Sequence, residues 1–162
     1  MEKKLATKKK LTMTLALILA LTFSRSVVAE TDYEREMMLA TNVLDKYERS
    51  ILGGRFDEWY TYLSPELQTY ISDKNVLENV SNANPLLTCI NLRLKTPQDY
   101  FTYVVRFERE DGRYLFEGYM LDRKRQTLTI LAKQRGRLRR KTFVFIYSNI
   151  SNNWVLISVE DN

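Results

Sequence analysis

From residue 33 onward the apolar positions recur at steps of four and three. Tyr33, Met37, Ala40, Leu44, Tyr47 and Ile51 fall on one side of a 3.6-residue helix, so the spacing predicts a long amphipathic helix. Asp32 is placed to cap it, Glu34 and Glu36 suit its first turn, and Gly53-Gly54 supplies the left-handed stop. Phe56, Trp59, Tyr60 and Leu63 carry a second helix. Ser64-Pro65-Glu66 starts a third, with serine as cap and proline at the first helical position, and Leu67, Tyr70 and Ile71 form its apolar side. Asp73 caps a fourth short helix bearing Val76, Leu77 and Val80. The break Asn82-Ala83-Asn84-Pro85 is read as the boundary between helices and strands.

Beyond that break the period changes to two. Ile90, Leu92 and Leu94 alternate with Asn91, Arg93 and Lys95, which predicts a strand ending at a Thr96-Pro97 turn. Tyr100 to Glu108 alternates as well, and Asp111-Gly112 is the dipeptide a two-residue type I′ turn needs. With that turn formed, Phe107 opposes Phe116, Arg106 opposes Glu117 and Tyr103 opposes Met120, each pair contributing roughly 0.2–1 kcal/mol. Turns at Arg123 to Gln126 and Gln134 to Arg137 flank a strand from Thr127 to Lys133. The last two strands, Leu138 to Tyr147 and Trp154 to Val159, join through Ser148 to Asn153. Pairing Tyr147 with Trp154 sets Phe145 opposite Leu156 and Val144 opposite Ile157, so both faces of this hairpin are apolar. One face packs on the helices. The other calls for a ligand cavity, a curled edge of the same sheet, or a second copy of the chain. The expectation is an α+β domain with N-terminal helices packed on a curved antiparallel sheet of four or five strands.

The first 29 residues follow a different pattern. Five lysines between Lys3 and Lys10 precede a 13-residue apolar run, Leu11 to Phe23, and Val27-Val28-Ala29 sets small residues before Glu30. This is the pattern of a cleaved secretory leader, with a retained anchor as the alternative; a span needs about 20 apolar residues. The chain is therefore expected to be exported, periplasmic or secreted, with a single domain over residues 30–162 and no transmembrane segment after cleavage. The leader holds six of the 25 basic and one of the 20 acidic residues, so the remaining 133 residues carry 19 of each. The high isoelectric point belongs to the leader and argues for no nucleic-acid partner.

Charge is segregated within that neutral remainder. Residues 30–78 hold 5 basic and 11 acidic residues, and residues 123–162 hold 9 and 2. The nine cations are Arg123, Lys124, Arg125, Lys133, Arg135, Arg137, Arg139, Arg140 and Lys141. On strand alternation Arg139 and Lys141 share a face opposite Arg140, which implies an end that projects into water. They are candidate contacts for an anionic envelope component or an acidic protein; a solvated hairpin end that limits edge pairing is the competing reading. No aromatic residue lies among them, as single-stranded nucleic acid would require.

The chain has no histidine and one cysteine, Cys89. That removes imidazole acid–base chemistry, His-based triads and the common zinc sites. Cys89, between Leu87 and Ile90, reads as a buried thiol. Asn79-Val80-Ser81 and Asn149-Ile150-Ser151 match the glycosylation sequon. No catalytic, metal or cofactor constellation is visible.

The order of elements, and the stretch Gly54-Arg55-Phe56-Asp57-Glu58-Trp59-Tyr60 running into Leu63-Ser64-Pro65-Glu66-Leu67, resemble the NTF2-like superfamily over about Asp32 to Val159. A cystatin-like fold shares the helix-before-meander order. The NTF2-like resemblance implies a cone of helices against a curved sheet, a fold that serves isomerases, cyclases and catalytically inert binding modules. Its enzymes hold a carboxylate base in the cone, and no residue here aligns with one; Tyr33, Tyr47, Asp99 and Glu117 are inward-facing candidates by polarity alone. Fold does not settle function. The primary expectation is an exported, non-enzymatic binding domain for a protein or an anionic envelope partner, with pairing of two copies through the sheet. The alternative is a small-molecule binder or enzyme using a pocket in the cone.

Overall fold

A computed structural model describes residues 32–110, 112–135 and 139–161. The expected leader, residues 1–29, lies outside them. The chain divides into two compact units, Met1–Met38 and Leu39–Asn162; the described part of the first, residues 32–38, is helical.

Helix α1 covers residues 32–52. In the second unit its stripe is buried at Ala40, Leu44, Tyr47 and Ile51, as the spacing requires. Gly54 takes φ +66 just after it, a conformation that favours glycine. Three short helices follow: α2 (Phe56–Thr61), α3 (Pro65–Ser72) and α4 (Lys74–Ala83). The Ser64 hydroxyl accepts from Leu67 N and the Asp73 carboxylate from Asn75 N and Val76 N, so both expected caps form.

The helical half then continues where strands were expected. Asn84 accepts from Leu86 N and Leu87 N and starts α5 (Pro85–Cys89); the break at Asn82 to Pro85 is a cap between helices and not the helix–strand boundary. Ile90 to Lys95 forms no strand but a turn and irregular chain, with Asn91 at φ 51. Leu94 N donates to Ser81 Oγ at 2.9 Å, which ties this segment to α4. Leu77, Leu87 and Leu94 pack into a small second core. Cys89 is exposed and not a buried thiol, because five-residue α5 buries one side chain, Leu87.

The largest correction concerns Tyr100 to Glu108. This segment is helical: α6 (Pro97–Tyr100), a π-helical turn (Phe101–Val105) and α7 (Arg106–Glu110) run on without a break. Thr96 and Asp99 form a reciprocal capping box, with Pro97 at the first position, two helix-start signals in one place. The residue pairs 100/101, 104/105 and 108/109 recur at steps of four. A pure α-helix of 3.6 residues per turn would let that stripe drift, and the wider π turn offsets the drift. Phe101 and Arg109 are buried, and Tyr100 and Val105 pack against the core. The expected Phe107–Phe116, Arg106–Glu117 and Tyr103–Met120 pairs therefore do not form, and Asp111 of the expected Asp111-Gly112 turn lies outside the described residues. Gly112 has φ +133, and a Cβ there would sit 2.8 Å from the Arg135 carbonyl oxygen, so glycine serves a close approach to the backbone at Arg135. Replacing Thr96 by Ala removes the Asp99 N acceptor at 3.1 Å, and we expect a loss of about 1 kcal/mol by urea unfolding.

Four strands are described: β1 (Tyr114–Asp122), β2 (Thr127–Gln134), β3 (Arg140–Ser148) and β4 (Asn153–Asp161), antiparallel in the order β1-β2-β3-β4. Helices before a four-stranded antiparallel sheet make the fold α+β. Leu128, Ile130, Ala132 and Gln134 of β2 are buried and alternate with half-buried positions, which is the expected one-faced period. Tyr147 pairs with Trp154 and Phe145 with Leu156, but Val144 pairs with Ser158. Ile157 is the extra residue of a β-bulge, which shifts the register by one. The inner face carries the main core: Phe143 and Phe145 pack edge-on against Tyr47 with ring centroids 6.0 Å apart.

Candidate functional site

Between the helices and the inner face of the sheet lies a cavity of about 280 Å³. Its apolar wall includes Leu63, Leu67 and Ile71 from the α2–α3 region, Val104 and Val105 from the π turn, and Leu156 from β4. Its polar wall holds Tyr47, Tyr70, Tyr100, Glu108, Arg109 and Lys141. Taking about 30 Å³ per water in the liquid, it has room for roughly nine waters or one small organic molecule.

The polar wall draws on α7, which buries Arg109 and brings the more exposed Glu108 to the lining. Arg109 is 7% exposed. Its guanidinium carbon sits 3.7 Å over the centre of the Tyr114 ring, a stacking that suits a planar cation. Arg109 Nη1 lies 3.7 Å from Glu48 Oε1. That distance is an ion pair and not a hydrogen bond, and among the described residues Nη1 has no hydrogen-bond partner. Glu48 Oε1 instead accepts from Tyr114 N at 3.0 Å. Burial holds the Glu48 carboxyl above its ordinary value, against the Tyr114 N–H bond and Arg109, which pull it down.

Lys141 donates to Glu108 at 3.0 Å and lies 3.4 Å from Asp161. Burial alone would lower the Lys141 ammonium; the hydrogen bond and charge of Glu108 outweigh it and raise the group. Burial raises the hydroxyls of Tyr47, Tyr100 and Tyr114, which keeps them protonated and able to donate. The Tyr47 hydroxyl accepts from Trp59 Nε1 at 3.4 Å, which uses a lone pair and leaves the proton. The wall therefore carries the Tyr47 and Tyr100 hydroxyls as donors, and its carboxylate, Glu108, is engaged by Lys141; Glu48, which does not line the cavity, is paired with Arg109.

Of the four polar candidates read from the sequence, Tyr47 lines the cavity. Tyr33 is exposed. Asp99 belongs to the capping box, and Glu117 pairs with Arg140 at 2.8 Å. Glu48, Tyr100, Glu108 and Arg109 were missed. Glu48 could have been found as a charge on the apolar stripe of α1, beside Tyr47 and one helical turn from Leu44 and Ile51. Arg109 continues the four-residue stripe of Phe101 and Val105, once that stretch is read as helix.

The nine cations do not gather at one place. Arg123, Lys124 and Arg125 lie in the turn before β2, where Asp122 accepts from Lys124 N and Arg125 N. Arg135 and Arg139 are exposed beyond the other end of β2, and Lys133 is half-buried within it. An eight-residue strand separates the two groups by about 26 Å. Arg140 is held by Glu117, and Lys141 turns inward to the cavity instead of out into water. Arg137 lies outside the described residues.

Among the described residues no group of three or more metal-ligating side chains could hold a metal ion, and no helix is long and apolar enough to cross a membrane. No family model, no curated protein and no solved structure matches the chain.

Proposed function

We propose that this is an exported binding domain that receives a small molecule in the cavity between its helices and its sheet. The observation that carries the reading is the cavity itself, a largely apolar chamber whose lining also includes Tyr47, Tyr100 and Lys141. Pockets of this composition are the usual seats of small ligands. Binding is favoured over turnover because Glu48 and Glu108 are each paired with a cation; neither is left as a poised base. The NTF2-like resemblance, proposed on the order of helices and meander, fits a ligand seat within the cone.

Native mass spectrometry of the protein recovered from its own compartment tests this. The expected mass is that of the 133 residues from Glu30, with a small-molecule adduct that dissociates on activation. A chain retaining residues 1–29 would reject export by cleavage. Adduct-free protein that also takes up no apolar probe would reject the binding role.

A second reading, docking onto an anionic envelope component, is favoured by the exposure of Lys124, Arg135 and Arg139. It predicts that the double variant Arg135→Glu, Arg139→Glu loses binding to vesicles containing anionic lipid, and that wild-type binding weakens steeply with salt. Unchanged binding at both salts would remove this reading. The same mass spectrum counts subunits, and so tests pairing of two copies through the sheet.

A further inference from the structure

The outer face of the sheet has the layout of an interface. Residues directly opposite one another on neighbouring antiparallel strands share a face. Gly118, Leu131 and Thr142 therefore form one row of the outer face, and Met120, Thr129 and Val144 the next. Neither of these middle rows holds a charge. The charges stand at the two ends: Lys133 and Arg140 pair in the row beyond Leu131, and Asp122 and Thr127 in the row beyond Thr129. Met120 is 66% exposed, and Met120, Leu131 and Val144 belong to neither buried core. Uncharged in the middle and charged at its rim, the face follows the anatomy of protein contacts.

Four strands about 4.8 Å apart, each some eight residues long at about 3.3 Å per residue, span roughly 500 Å². Two copies stacked face to face bury about 1,000 Å² between them, which reaches the lower bound for a specific contact. Stacked sheets lie nearly aligned, so a second copy can be turned onto this face in two ways. With the two-fold axis along the strands, Lys133 of each copy comes over Arg140 of the other, and like charges meet. With the axis across the strands, each strand lies over its own counterpart in reverse. Leu131 then comes over Thr129, Val144 over Thr142, and the Lys133 end over the Asp122 end, cation beside anion. Met120 comes over Gly118, where a Cβ would meet nothing within 4 Å, so the glycine leaves room for that side chain. We propose that the outer face is the contact of a two-fold dimer, a second copy of this chain packed across the strands with Met120 of each seated on Gly118 of the other. The cavity lies on the inner side of the sheet, so this contact does not depend on the binding role.

Sedimentation equilibrium of the protein recovered from its own compartment tests the contact, with circular dichroism to show that each variant is folded. The expected result is a reversible dimer at about 100 μM chain. Gly118→Met fills the room that Met120 of the other copy needs. The Gly118 backbone is not in the left-handed region, so the single chain tolerates the change, while overpacking at the contact should raise the dimer Kd about tenfold or more. Gly118→Met with Met120→Gly exchanges side chain and gap, and should return the Kd to within about threefold of wild type. Met120→Asp sets a charge in the contact and should leave monomer alone. A wild-type monomer at about 100 μM overturns the proposal, including the case in which a different protein covers the face. A dimer that persists in Gly118→Met and in Met120→Asp overturns it by placing the contact elsewhere. A folded exchanged pair that stays monomeric overturns the seating of Met120 on Gly118.

Discussion

Replacing Glu48 by Ala lowers the stability of the domain by about 3–5 kcal/mol, the usual loss when one partner of a buried ion pair is removed. The change strands Arg109, which is 7% exposed, without its counter-charge, and takes the acceptor from Tyr114 N. Glu48→Gln keeps an acceptor for Tyr114 and removes only the charge. It should cost less, because burial already raises the Glu48 carboxyl more than Arg109 lowers it. The sign of the pH dependence follows. A carboxyl whose folded value is raised binds its proton more tightly in the folded state. Its contribution is therefore fully present below the unfolded value and is lost as pH rises through the folded value. Wild-type stability should fall across that window, and Glu48→Gln should lack that fall. The double change Glu48→Leu, Arg109→Met replaces the pair with apolar volume and should recover much of the loss. Urea unfolding of the four proteins across acidic to neutral pH measures all of this. A Glu48→Ala protein within about 0.5 kcal/mol of wild type would mean that Arg109 is not buried beside Glu48.

The second large effect is expected at Phe145. This side chain is fully buried, pairs between Leu128 and Leu156, and meets the Tyr47 ring edge-on at 6.0 Å. Phe145→Ala leaves a hole that rigid strands on both sides cannot close, and should cost about 3–5 kcal/mol. Against a total of about 5–15 kcal/mol for a domain, that is enough to unfold a large fraction of the protein. Phe145→Leu should cost about 1.5 kcal/mol or less. Phe107→Ala is the informative contrast. On the helical assignment Phe107 is 44% exposed on α7, and truncation should stay within about 0.5 kcal/mol. In a hairpin with Phe107 against Phe116 its loss would approach that of Phe145. Equal effects of Phe107→Ala and Phe145→Ala in urea unfolding would therefore restore the strand.

The contrast marks where local sequence stops being sufficient. The α1 stripe, the Ser64 and Asp73 caps, the Gly53-Gly54 stop, the turn at Arg123 to Gln126 and the pairing of Tyr147 with Trp154 were all legible. Each depends on residues close in the chain: a period, a cap, or a turn that sets a register. The α+β class follows from the same signals, since a helical period precedes an alternating one.

Tyr100 to Glu108 carried two patterns at once, alternation on one side and four-residue steps on the other. Local signals were divided, with Thr96-Pro97 and Asp99 favouring a helix and Asp111-Gly112 favouring a hairpin. The choice fell to packing, because a helix buries Phe101 and Arg109 against partners far along the chain. The candidate site has the same origin. Tyr47 comes from α1, Glu108 and Arg109 from α7, and Lys141 from β3, and no spacing in one dimension announces that they share a chamber. The sequence alone determined the helices that are locally capped and the strands that are locally paired. The tertiary structure decided that Arg109 is dry and that its Nη1 is buried without a hydrogen bond among the described residues, because burial and pairing are properties of surroundings that only the folded chain assembles.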